Sequence, residues 1–309
     1  MVHSILLFYK YTFINNPHDV RQQQLLLCQQ LGLKGRILIA QEGINATVGG
    51  TPENTARYKQ AMQEHPLFAD IDFKESFADG DCFPKLKVKV RTTIVNLGID
   101  PAQLTAQEGG VHLTPTQTHE LISTQKDLVI FDARNAFEAE IGKFKDAVVP
   151  NIEYFRELPT FIDAHQDMFK DKEVLMYCTG GIRCERASAY LKSKNIAKKV
   201  YQLEGGIHRY IEQFPDGHFR GKNYVFDGRI AVNANADILG NCIGCTVPCS
   251  EYTNCINVQC NAHCLLCSSC TEQLGQTCSI ACRDKLNNNT VLARNTPAKT
   301  ACALDCNPR

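Results

Sequence analysis

The residues best suited to chemistry sit in one short string. Cys178 closes the apolar run EVLMYC (173–178) and is followed by Thr179, Gly180, Gly181, Ile182 and Arg183, then by the helix-like CERASAYLKSK. Two glycines let backbone amides turn inward, the following helix offers its positive N-terminus, and Arg183 adds a fixed charge. All three favour thiolate over thiol, so Cys178 is expected to have a lowered pKa and to act as a nucleophile. The plain alternative is a buried strand-end cysteine beside an ordinary turn. Cys184, close by in sequence, is a candidate second thiol on spacing alone.

Cysteine is also concentrated elsewhere. Of 16 cysteines, four (Cys28, Cys82, Cys178, Cys184) precede residue 242 and twelve crowd between Cys242 and Cys306. The start, MVHSILLFYKYTFI, lacks a basic region and a small-residue cleavage site, so it reads as a strand and not as a secretory signal. With no secretion signal, a metal site is a better reading than a disulfide framework. Cys242-x2-Cys245 and Cys264-x2-Cys267 are 18 residues apart, a four-thiolate spacing, but Cys267-x2-Cys270 shares a cysteine and leaves the register open. We take Cys242, Cys245, Cys267 and Cys270 as the expected ligands, with zinc as the expected metal. Cys249, Cys255, Cys260, Cys278 and Cys282 are available for a second ion. A redox-active tail or an iron–sulfur cluster is the alternative. Beyond residue 286 the chain is polar and is expected to be loose.

Two segments could hold nucleic acid. In PKLKVKVR (84–91), strand alternation puts Lys85, Lys87, Lys89 and Arg91 on one face and Leu86, Val88 and Val90 on the other. That face is either a phosphate track or a solvated edge whose lysines prevent aggregation. In RGKNYVFDGR (220–229), Arg220, Lys222 and Arg229 flank Tyr224 and Phe226. This is either a base-stacking platform with backbone contacts or a strand packing its aromatics on a neighbour. With 33 basic and 33 acidic residues the net charge is zero, which excludes a general basic coat but not a local patch.

The elements that must position these residues change period along the chain. A β-α-β-β-α-β order over the first 97 residues predicts a ferredoxin-like α+β unit: a strand at 5–14, a helix from Asn16 to Gly32, strands at 36–40 and 44–48, a helix from Thr51, and a strand at 70–77. Residues 98–115, with Pro101, Gly109, Gly110 and Pro115, read as a linker. LVIFDAR (128–134), EVLMYC and VYQLEGG (200–206) are the near-continuous apolar runs of a parallel sheet. A ligand site is expected at the carboxyl ends of those strands, where Cys178 stands. No apolar run approaches the length of a membrane span, so the expected location is the cytoplasm.

Residues 116–219 resemble a rhodanese domain, through Asp132 and Arg134 in LVIFDAR, the Cys178–Arg183 loop, and the LEGGI turn at 203–207. Four residues separate Cys178 from Arg183, the sulfur-sized loop; the related phosphatase loop has one more. IGKFKDA (141–147) departs from the usual histidine-glycine pair. With GRILIAQEGINATV upstream and RGKNYVFDGR before a cysteine-rich tail, the chain resembles the bacterial tRNA uridine hydroxylase family over nearly its whole length. The resemblance implies an α/β protein in four parts: a ferredoxin-like domain (1–97), a linker (98–115), a rhodanese-like domain (116–219), and a basic, aromatic and cysteine-rich tail (220–309). It also implies oxygen-dependent 5-hydroxylation of the wobble uridine of tRNA, with tRNA and O2 as partners. Cys178 is then the catalytic residue, a persulfide carrier in rhodanese terms.

The residues themselves explain a reactive thiol and not a hydroxylation. Two histidines and a carboxylate around iron would be one oxygen-activating set, but His165-Gln166-Asp167 is the lone His-x-Asp/Glu triplet and no Gly-x-Gly-x-x-Gly fingerprint is present, so the oxygen-activating group is unidentified. A plain sulfurtransferase is the second reading. A zinc-stabilised RNA-binding protein without catalysis is the third, and an intact Cys178 with Arg183 argues against it.

Overall fold

The first helix begins where its capping residue predicts. In the computed structural model of the chain, which describes residues 1–294, the Asn16 side chain accepts from the amides of His18 and Asp19, and Pro17 fills the first helical turn. These contacts occupy amides that a helix start otherwise leaves unpaired. This helix, α1 (Pro17–Gln30), lies between β1 (Val2–Tyr11) and β2 (Lys34–Ala40), and β3 (Gly43–Gly50), α2 (Pro52–Glu64), β4 (Lys74–Asp79) and β5 (Leu86–Val90) follow. The sheet order is β4-β1-β3-β2-β5, the ferredoxin-like arrangement with β5 added parallel to β2. Alternate residues Leu6, Phe8, Ile37, Ile39, Ile44 and Val48 are buried with Val20, Cys28, Tyr58 and Met62 of the two helices. The opposite face of β1 therefore carries Leu7, Tyr9 and Tyr11. Strand β4 starts at Lys74 and not at residue 70, because the chain is still turning there, with the Ile71 amide donating to the Phe68 carbonyl at 3.1 Å; Asp70 and Asp72 pair with Lys10 and with Lys74 and Arg209.

The next sheet is wholly parallel, in the order β6-β10-β9-β7. Its strands are β6 (Val111–Leu113), β7 (Leu128–Asp132), β9 (Glu173–Tyr177) and β10 (Lys199–Leu203). Helices α3 (Pro115–Thr124), α4 (Ala136–Glu140), α5 (Leu158–Ala164), α6 (Ile182–Ser193) and α7 (Gly206–Gln213) alternate with them, as does the short β8 (Gly142–Phe144). Phe131, Val174, Met176, Leu158 and Leu191 are buried in one cluster, which accounts for the continuous apolar runs.

Residues 98–115 are not simply a linker. Val111–Leu113 form β6, in register with Tyr201–Leu203. Gly110 is small for a reason of packing: its amide donates to Ser188 Oγ at 2.7 Å, and a Cβ there would lie 2.8 Å from the Val200 carbonyl oxygen. Glycines that look like linker composition are here a close approach of backbone to the sheet.

The chain divides into two compact units, Met1–Ala139 with Phe144–Phe219, and Glu140–Lys143 with the residues from Arg220 onward. The second unit contains β11 (Phe219–Tyr224) from its second residue, β12 (Ala231–Asn233), the antiparallel pair β13 (Tyr252–Asn254) and β14 (His263–Leu265), then α8 (Ser268–Gln273) and α9 (Ile280–Asn287). Part of the tail expected to be loose is tied down: Ala293 bridges to Asn257, and the Arg294 amide donates to the Ile256 carbonyl. Residues 295–309 of that segment lie outside the described residues.

Candidate active site

Cys178 leaves the carboxyl end of β9 and enters a loop that closes on its own sulfur. The Gly181 amide donates to Cys178 Sγ at 3.2 Å, and the Cys184 amide donates to the Gly181 carbonyl at 3.0 Å. Gly181 caps α6 with φ +104°, a conformation that L side chains rarely adopt. Gly206, at the start of α7, packs under the loop, where a Cβ would lie 2.6 Å from the Cys178 carbonyl oxygen. This explains the second glycine of the LEGGI turn. Cys178 is wholly buried, and burial is the largest influence, pushing its pKa up. The Cys184 thiol, the Arg183 charge and the backbone amides of Cys184 and Arg183 together outweigh it, bringing the pKa down to about 6.

Arg183 does not extend a bare guanidinium toward the loop's centre. Its two terminal nitrogens donate to the Glu138 carboxylate at 2.5 and 2.8 Å, and Thr179 Oγ1 donates to Glu138 at 3.3 Å. Beside them, Arg134 pairs with Asp132 at 2.7 Å, and the Tyr177 hydroxyl donates to the same carboxylate at 2.7 Å. Glu138, in α4, has no motif around it and was not among the residues expected from sequence.

The ferredoxin-like sheet covers the loop. A Cβ on Gly180 would meet Leu7 at 2.9 Å, and one on Gly181 would meet the Tyr9 hydroxyl at 2.8 Å. The Tyr9 hydroxyl donates to Glu185 Oε1 at 2.9 Å, His112 Nε2 lies 3.0 Å from the same oxygen, and Gln202 donates to Oε2 at 3.0 Å. His112 is held above its ordinary pKa by that hydrogen bond. Tyr9, Tyr11, Lys74, His112 and Glu185 line a cleft of about 480 Å³. The Tyr11 hydroxyl is buried there without a hydrogen-bond partner. Deeper, Arg186 is fully buried; it contacts Glu42 at 3.4 Å and donates to the Ile99 carbonyl at 2.7 Å. Residues from β1, from the β2–β3 turn and from the former linker thus meet the loop, a convergence that no local motif announces.

The nucleic-acid candidates separate. Lys87 and Lys89 are half-buried on the edge strand β5, with Lys85 and Arg91 exposed at its ends. Arg36 of β2 lies in register beside Lys87 and extends the basic face. In the second unit, Arg220 pairs with Asp237 at 3.5 Å and Lys222 is half-buried in β11. Tyr224 is only 2% exposed, its hydroxyl 3.1 Å from His263 Nε2 and its ring edge-on to Tyr252. Its ring is packed inside the unit, so the stacking platform expected at Tyr224 has no accessible face. The packing alternative describes it, with Tyr252 and His263 as the partners.

The tail cysteines form two clusters. Cys242, Cys245, Cys267 and Cys270 bring their sulfurs within 4.8 Å of one another, as do Cys255, Cys260, Cys278 and Cys282. Sulfurs lie 3.6 Å apart for Cys245 and Cys267, 3.5 Å for Cys260 and Cys278, and 3.7 Å for Cys278 and Cys282. A metal bound tetrahedrally by thiolates at about 2.3 Å has sulfur–sulfur edges of about 3.8 Å, so both sets fit a metal ion. Cys249 and Cys264 stand outside the clusters, near the carbonyls of Glu251 and Thr253. Cys302 and Cys306 lie outside the described residues.

Three family models match in succession: a UPF0176 acylphosphatase like domain over residues 3–94, a Rhodanese-like domain over 114–213, and a Rhodanase C-terminal domain over 220–283. A tRNA uridine(34) hydroxylase of Pseudarthrobacter chlorophenolicus is 44% identical over 282 residues, covering 87% of this chain and 94% of that one. The tRNA uridine(34) hydroxylase of Listeria welshimeri is 41% identical, covering 91% and 89%. A rhodanese-related crystal structure from Thermoplasma volcanium is 20% identical over 33% of this chain and 92% of that one, with a TM-score of 0.27. At this identity over most of both chains, the protein belongs to the tRNA uridine(34) hydroxylase family.

Proposed function

We propose that the protein hydroxylates carbon 5 of the wobble uridine of tRNA with O2, using Cys178 as its reactive group. The observation that carries this reading is a wholly buried cysteine whose pKa is nevertheless brought down to about 6, in a chain that shares this family's full domain order. A depressed pKa at a glycine-turned loop supports nucleophilic chemistry and not a structural thiol. The cleft beside the loop has room for a nucleobase, and its Tyr9 and Tyr11 side chains suit a planar base.

The remaining assignments follow from the same reading. Thr179, Gly180, Gly181 and Ile182 form the active loop, and Arg183, tied to Glu138, holds its charge near the sulfur. Lys85, Lys87, Lys89 and Arg91 contact tRNA phosphates, with Arg220 and Lys222 as secondary contacts. Two zinc ions occupy the four-thiolate clusters and hold the tail's short elements together. We divide the chain at 1–97, 98–115, 116–219 and 220–309, the second segment contributing β6 to the rhodanese sheet, and place the protein in the cytoplasm, where tRNA is modified. No helix among the described residues is long and apolar enough to cross a membrane.

The loop's length supports a second reading, a sulfurtransferase that carries sulfur as a Cys178 persulfide. Incubating the protein with unmodified tRNA in air, followed by mass spectrometry of the nucleosides, separates the two. 5-Hydroxyuridine supports hydroxylation. Thiolated bases, formed only with a sulfur donor present, would replace it with sulfur transfer.

A further inference from the structure

Hydroxylation by O2 carries an electron requirement. Converting the uracil C5–H bond to C5–OH removes two electrons from the base, yet O2 takes up four in becoming one hydroxyl and one water. A donor must supply the other two. We propose that Cys178 and Cys184 are that donor, with Cys184 the catalytic thiol that reduces a hydroperoxide formed on the base. The proposal rests on the hydroxylase reading above.

The loop brings both cysteines to Gly181: its amide donates to Cys178 Sγ, and its carbonyl accepts from the Cys184 amide. Cys178 and Cys184 are both 0% exposed and packed in one buried cluster. Burial, first, and then the adjacent Cys178 keep Cys184 protonated, while Cys178 ionises. The pair therefore offers one nucleophile and one proton-bearing thiol. Tyr9, which lines the cleft, has its hydroxyl against Gly181 of this loop, and Glu185, the residue after Cys184, lines the cleft as well.

The chemistry balances without a further co-reactant. The Cys178 thiolate adds to uracil C6, leaving an electron pair at C5 that is delocalised onto the C4 oxygen. O2 accepts that pair one electron at a time and bonds to C5; a proton completes the hydroperoxide. Cys184 sulfur attacks the outer peroxide oxygen, the O–O bond breaks, C5 keeps a hydroxyl, and Cys184 becomes a sulfenic acid. Loss of the C5 proton restores the C5–C6 double bond and expels Cys178 as thiolate. That thiolate displaces hydroxide from the sulfenic acid, giving the Cys178–Cys184 disulfide and, with a proton, water. In sum, one C5–H bond, O2 and two thiols become C5–OH, water and a disulfide, which an external dithiol then reduces.

The test uses the reduced full-length chain, desalted free of thiols, in excess over transcribed tRNA in air. Trypsin cleaves after Arg183, so Cys178 and Cys184 fall on different peptides and a disulfide between them appears as a cross-linked pair. The expected result is one cross-link per hydroxylated uridine, with none formed when tRNA is omitted. In Cys184→Ser, and equally in Cys184→Ala, product formed without added reductant falls at least about tenfold, and a small dithiol restores it. Hydroxylated uridine in the wild type with both thiols still reduced overturns the proposal and leaves the hydroxylase reading intact; that measurement needs no variant to fold. No hydroxylation by the wild type even with dithiol present overturns that reading and this proposal with it.

Discussion

At Cys178 the usual effect of burial is reversed. Cys28 shows what burial does alone, its thiol pushed up to about 12. Cys178 is wholly buried as well, yet Cys184, Arg183 and the loop amides bring it to about 6 from an ordinary 9.0. A thiolate absorbance titrating near pH 6 is therefore expected in the wild type and smaller by one thiolate in Cys178→Ser. Because the folded-state pKa is depressed, the stabilisation from ionisation is complete above pH 9.0 and is lost as pH falls through about 6. A Cys178 titration near pH 9 would contradict this account. Arg183 gives a second expectation. Glu138→Gln leaves a buried guanidinium without its counter-charge, which should cost about 3–5 kcal/mol in a denaturant melt. A loss under about 1 kcal/mol would mean that Arg183 finds another partner. Cys178 and Arg183 were legible in the sequence because one loop holds both. Glu138, 45 positions before Arg183, reads as an ordinary helix acid, and only the fold reveals its role.

At the scale of elements, the strands and helices were largely legible, since alternation and capping are local. Asn16 and Pro17 fixed the start of α1, and the apolar runs fixed β7 and β9. The strand β6 inside the segment 98–115 was not legible because Gly110 signals both a linker and a tight backbone contact, and only the neighbour at Val200 distinguishes them. Tyr224 was ambiguous for the same reason: an aromatic between basic residues looks alike whether it stacks on a base or on Tyr252. Gly181 joins two elements, with a positive φ and with Tyr9 of β1 against it. Gly181→Ala should lower stability by more than about 1 kcal/mol and reduce activity with it, read by thermal melts and turnover. On β5, replacing Lys85, Lys87 and Lys89 by glutamine should weaken tRNA binding and lower the salt slope by roughly one per lost contact. Unchanged affinity and slope would return the lysines to edge protection.

For the whole molecule, a net charge of zero means that tRNA must be held by local features and not by a general field. Apart from β11, the second unit is built from three-residue strands and short helices around eight clustered cysteines, a small scaffold of the kind that bound metal commonly holds together. Metal analysis of freshly reduced protein should find two zinc ions per chain, filling the two clusters. Chelation should then unfold the second unit before the first, seen as two separated melting steps; a single unchanged melt after complete metal removal would show that the clusters do not hold the fold. The family's domain order and the thiolate at Cys178 together make one central claim, that this thiol hydroxylates the wobble uridine. The most direct measurement is mass spectrometry of nucleosides from a substrate tRNA treated with wild-type protein or with Cys178→Ser, each with and without O2. The account predicts 5-hydroxyuridine at the wobble position only with the wild type and O2 together; 5-hydroxyuridine formed equally well by Cys178→Ser would contradict it.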